Sequence, residues 1–162
     1  MVDTCKAAVF VGAERPLEIQ EFRVPDVTPG TVLIRMQMAA VCGTDVHWWH
    51  DPKTPHPWVW GHENIGFVAK LSKEVTEDSV GIPLKEGDRV IFNVTPCGHC
   101  YNCVMGLRCT NNQPYGTTFI ENPSLLRGGF GEYVLLDPKT WILRVPDSMS
   151  TERALMSVIG NH

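Results

Sequence analysis

The sequence predicts a mainly β domain, a mostly antiparallel barrel or sandwich carrying a metal-binding excursion and ending in a short helix. Three observations point there. Short runs rich in β-branched and aromatic residues are divided by Pro and Gly turns. Four cysteines are bunched between Cys97 and Cys109. After Ser150 the apolar period changes from two to that of a helix.

In chain order, Lys6-Ala7-Ala8-Val9-Phe10-Val11 reads as a strand ended by Gly12, and 17–24 alternates apolar and polar residues as a half-buried strand does. Pro25 to Gly30 punctuates it, and 31–38 forms a third strand delivering the chain to Cys42. From Cys42 to Gly61 the sequence is irregular and aromatic, with Trp48, Trp49, Trp58 and Trp60 among three prolines. These rings serve either as packing under a long loop or as a functional surface, since loops on a scaffold often carry function. Strands are expected again at 64–71, 89–94 and 132–136, with a solvated polar segment at 72–79. Gly128-Gly129-Phe130-Gly131 offers flexible backbone before the last of these. Ser150 is an N-cap candidate, Glu152 sits in the first turn, and Ala154, Leu155, Val158 and Ile159 make one apolar stripe, which predicts a helix over 151–159.

The chain has 162 residues, room for one domain with a sizeable core, 1–162. A net charge of -4 without a basic run argues against nucleic acid as the main partner. No apolar stretch is long enough to span a bilayer, and the N-terminus lacks the regions of a signal peptide, so no membrane partner and a cytoplasmic location are expected. Cys5 adjoins an apolar run and reads as a small buried hydrophobe.

Cys97, Cys100 and Cys103 are each separated by two residues, and Cys109 follows. Such spacing lets a tight turn aim thiolates at one ion, and a full set of four sulfurs leaves no open position, so the expected metal is a structural zinc. Gly98 and Gly106 supply backbone freedom for the knuckle. A second constellation, Cys42-Gly43-Thr44-Asp45-Val46-His47 with Gly61-His62-Glu63-Asn64, holds one thiolate, one imidazole and one carboxylate. That is a sufficient donor set for a catalytic zinc, which polarises alcohol or carbonyl oxygens. Read one at a time, His62 also fits a core histidine, Glu63 and His47 solvated side chains, and Thr44 and Asp45 ordinary turn chemistry.

Lys6-Ala7-Ala8-Val9, Val41 to His47, Gly61-His62-Glu63 with Gly66, Gly87-Asp88-Arg89-Val90 and the cysteine array occur in the order seen in zinc-dependent medium-chain alcohol dehydrogenases. The chain resembles their N-terminal, GroES-like catalytic domain over nearly its whole length. The resemblance implies a GroES-like β-barrel with a zinc lobe and a C-terminal helix, and it implies roles. Cys42 and His62 match catalytic zinc ligands, and Glu63 a carboxylate beside the metal that binds it in some members. Asp45 corresponds to the residue orienting the ligand histidine, Thr44 to the hydroxyl that passes the alcohol proton, and His47 to the outer relay. Cys97, Cys100, Cys103 and Cys109 match the structural zinc lobe. The implied cofactors are one catalytic and one structural zinc, with NAD or NADP, and the implied partners a small-molecule alcohol or carbonyl substrate and other copies in a homo-oligomer.

Three departures stand out. Cys109 follows Cys103 closely, so the lobe should be short, and Ser72 stands where a glycine is common. Ser157 falls where members often supply a further zinc ligand. No Gly-x-Gly-x-x-Gly fingerprint is present, and Gly128-Gly129-Phe130-Gly131 lacks the third glycine at the needed spacing and precedes a strand. The expected reading is therefore one domain of a longer enzyme, ending near the entrance to a Rossmann domain and inactive alone. A zinc-stabilised β-barrel that binds a partner, and a related reductase or lyase lacking catalytic zinc, are the rival readings.

Overall fold

A computed structural model describes residues 3–92, 97, 99–107, 109–111, 115–116 and 126–158. Among these residues the strands pair antiparallel in two sheets. β1 (Thr4–Phe10) lies between β2 (Glu18–Arg23) and β4 (Trp58–Val59). The larger sheet has the order β7-β3-β5-β6-β8, from β3 (Val32–Ala40), β5 (Glu63–Leu71), β6 (Arg89–Phe92), β7 (Tyr133–Leu136) and β8 (Ile142–Arg144). The sheets do not close into a ring, but the mainly β architecture is the one expected.

The larger sheet buries Val32, Ile34, Val68, Val90, Phe92, Val134 and Leu136 in one cluster, as alternation along each strand requires. On the other side of β5, Ile65 meets Ala154 and Leu155 of α3 (Thr151–Met156). The two sheets are stitched by 130–132. Ala8 N donates to Phe130 O at 2.8 Å, Glu132 N to Lys6 O at 2.9 Å, and Met36 N to Glu132 O at 2.9 Å.

The structure corrects the expected elements in four places. The stretch after Cys42 is not irregular throughout, because α1 (Gly43–His50) occupies its first part and β4 its end. β8 is an additional strand whose three residues are too few to show a period in the sequence. The last helix begins as expected, with Ser150 Oγ accepting from Arg153 N at 3.2 Å, but it stops at Met156. The segment 72–79 is not simply solvated. Ser72 and Asp78 are buried, Ser72 Oγ accepts from Gly30 N, and Asp78 accepts from the backbone of Val80, Ile82 and Arg144. Asn93, Val94, Gly98 and Ile159 lie outside the described residues. No described helix is long and apolar enough to cross a membrane.

Candidate catalytic metal centre

Strand pairing brings the separated motifs together. Ala40 at the end of β3 lies opposite Glu63 at the start of β5, so the Cys42 turn and the His62-Glu63 pair emerge side by side. One donor atom from each of Cys42, His62 and Glu63 lies within 4.8 Å of the others. His62 and Glu63 are buried, and Cys42 is half-buried. A thiolate, an imidazole and a carboxylate converging from buried backbone fit a zinc ion that retains an open position.

α1 builds the near wall. Its N-cap is Cys42, held extended at φ -91° and ψ 157°, and its third residue is Asp45. The Asp45 carboxylate accepts from Cys42 N at 2.9 Å, as an N-terminal carboxylate does at a helix start. Its other oxygen faces His62 Nδ1 at 3.5 Å. Burial pushes the Asp45 carboxyl above its usual range, an effect opposed by the Cys42 N–H and by His62 and reinforced by the Glu63 charge. Thr44 and His47 are on exposed parts of α1, and Thr44 Oγ1 lies 3.7 Å from Cys42 Sγ.

The far wall is a clasp of glycines. Gly61 has φ +101°, a conformation that disfavours side chains, and its carbonyl accepts from Gly129 N at 2.8 Å and from Asn64 Nδ2 at 3.0 Å. Phe130 N adds a bond to Trp60 O at 2.8 Å. A side chain at Gly129 would collide with Asn64 Oδ1. Gly128 to Gly131 is expected from the sequence to be flexible, yet these residues permit a close backbone approach that locks the peptide preceding His62. Doubled glycines ahead of a strand were the available signal. The tryptophans largely resolve as packing: Trp58 and Trp60 are buried with Phe10, and Trp49 Nε1 donates to Arg15 O at 2.8 Å.

Ser157 brings a neutral hydroxyl, a poor zinc ligand beside a thiolate or carboxylate. It caps the end of α3, and its hydroxyl donates to Ala154 O at 2.6 Å.

The knuckle is a separate cluster. Sulfur separations are 3.5 Å for Cys100–Cys103, 3.6 Å for Cys97–Cys109, and 3.9 Å for both Cys97–Cys103 and Cys100–Cys109. A tetrahedron with Zn–S bonds of about 2.3 Å has edges of about 3.8 Å, so these sulfurs fit one ion. Cys100 is the N-cap of α2 (Tyr101–Val104), and the Cys103 backbone N–H, donating to it, pulls its thiol down to about 6. A thiol lowered in this way is mostly thiolate at neutral pH, the form that binds metal and reacts. In metal-stripped protein at pH 7, iodoacetamide should therefore label Cys100 well ahead of Cys5, whose thiol burial pushes up. Zinc should suppress that labelling, and mass spectrometry of Cys100 peptides with equal labelling in both states would contradict a metal at the knuckle.

Residues 28–147 match the family described as Alcohol dehydrogenase GroES-like domain. The chain belongs to that family. Among curated relatives of this GroES-like chain is the L-threonine 3-dehydrogenase of Mesorhizobium japonicum, 35% identical over 99% of the chain and 45% of the relative. Among solved structures, an alcohol dehydrogenase from Thermotoga maritima superposes with a TM-score of 0.85 at 32% identity, covering 96% of the chain and 44% of that protein. A protein from Sinorhizobium meliloti described as a zinc-binding dehydrogenase and bound to NADP superposes at 0.71 with 27% identity, covering 92% and 40%. The chain thus spans less than half the length of the relatives it matches.

Proposed function

We propose that the chain is the catalytic, metal-binding part of an oxidoreductase that interconverts an alcohol and an aldehyde or ketone with NAD or NADP. The observation that carries this reading is the convergence of Cys42, His62 and Glu63 on one point, distinct from the knuckle. When bound there, zinc polarises the oxygen of an alcohol or carbonyl and eases loss of the alcohol proton.

The residues around it divide the remaining work. Asp45, facing His62 Nδ1, fixes the tautomer that leaves Nε2 for the metal. Thr44 accepts the alcohol proton on its hydroxyl oxygen while donating its own to His47, one turn further along α1, and exposed His47 releases it to solvent. A nicotinamide cofactor would take up the hydride, and the matched part is less than half the length of the L-threonine 3-dehydrogenase relative. The substrate is a small alcohol or carbonyl, and the relative named for L-threonine puts that secondary alcohol first in a test panel.

The test is cofactor reduction by the enzyme carrying its nicotinamide-binding region. Cys42→Ser should abolish turnover and remove one zinc per chain while the knuckle keeps its own. Oxidation that survives Cys42→Ser unchanged overturns the reading.

A further inference from the structure

Resting on the metal centre proposed above, we propose that Trp48 is a positioning residue that holds the His62 imidazole in its ligating orientation. Cys42, Asp45 and Trp48 follow one another at intervals of three residues from the N-cap through α1, so they share one face of the helix. The first supplies a sulfur, the second faces the Nδ1 side of His62, and the third meets the ring itself. Trp48 and His62 stand edge-on, with centroids 6.1 Å apart and planes at 65°.

The Asp45 contact to Nδ1, at 3.5 Å, lies at the outer limit of a hydrogen bond, and an imidazole can swing about χ2 wherever its edges are not packed. An aromatic wall restricts that swing without supplying a competing donor or acceptor. Trp48 is itself held, against Trp58 at 5.2 Å and Trp60 at 6.1 Å, and Trp60 stacks on Phe10 at 4.3 Å. The ring wall is thus anchored in the buried cluster of Phe10, Trp58 and Trp60 rather than standing alone on a surface helix.

The experiment measures metal at the two clusters of the same purified protein, with the knuckle as the internal reference. Zinc affinity is read by competition with a chromophoric chelator, and the environment of the Cys42-His62-Glu63 ion by the visible absorption of its cobalt(II) form. Wild-type protein binding only the knuckle ion would refute the metal centre itself, a result obtained before any variant is made. Given two ions, Trp48→Ala should weaken the Cys42-His62-Glu63 site by about 10-fold, as removal of an outer partner of a ligand histidine does, and should alter its cobalt spectrum. The knuckle should be unchanged. Trp48→Phe should restore most of the loss, whereas Trp48→Leu, which folds if apolar volume suffices, should not. Wild-type affinity and spectrum in Trp48→Ala, or full restoration by leucine, would overturn the positioning role. So would equal weakening of both ions. Should Trp48→Ala fail to fold, the Phe and Leu pair decides between a ring and mere bulk.

Discussion

Gly129→Ala is expected to destabilise the protein by at least about 3 kcal/mol, the upper end of what overpacking ordinarily costs, and to empty the Cys42-His62-Glu63 centre. The added methyl group would fall on Asn64 Oδ1, and Asn64 is wholly buried with its amide committed to Gly61 O. Neither side can yield cheaply. Moving Asn64 breaks the bond that steadies Gly61, and moving Gly129 breaks its own 2.8 Å bond to the same carbonyl. Either displacement propagates to His62, the next residue in the chain. Gly43→Ala is the contrast, because nothing lies within 4 Å of the added carbon and the position is helical. It should be neutral or gain up to about 1 kcal/mol. Urea denaturation of the two variants, with zinc counted in each, checks both expectations, and an unaffected Gly129→Ala protein would dismiss the clasp.

The clasp also marks where sequence reasoning reached its limit. Strand-like apolar and β-branched runs at 31–38 and 64–71 reveal β3 and β5, and the cysteine spacing reveals the knuckle because thiolates spaced in this way can converge on one ion. What makes the second site is the juxtaposition of two strand ends. The register pairing Ala40 with Glu63 leaves no trace in local composition. α1 escaped for a related reason. Its eight residues include β-branched Thr44 and Val46 and the aromatic Trp48 and Trp49 beside two histidines, and its start is stabilised by a carboxylate bond from Asp45, visible only once Cys42 is seen to be a cap. The burial of Asp45 and Glu63 reverses the solvated or turn-forming behaviour that each would show alone. Buried carboxylates gathered beside a thiol and an imidazole make sense as a cation site, and in a structural core they would be a liability.

That liability gives Glu63→Gln two effects of opposite sign. Ser157 offers only a neutral hydroxyl, bonded to the Ala154 carbonyl at the end of α3, and among the described His, Cys, Asp and Glu residues the third donor grouped at this centre is Glu63. Replacing its carboxylate with a neutral amide of the same shape removes the hard anionic donor. Zinc affinity at this centre should fall by more than the roughly 10–100-fold that loss of an outer partner costs, and zinc content should drop toward one ion per chain. Stability of the metal-free protein should move the other way, holding steady or rising, because a buried charge whose counter-ion is absent has been taken out of the core. Zinc reverses the comparison by adding binding energy to the wild-type fold alone. Thermal unfolding of both proteins with chelator and with zinc would show the crossing, with the variant at or above wild type when stripped and below it when loaded. A variant that binds two ions as tightly as wild type would mean that Glu63 stands beside the metal without holding it.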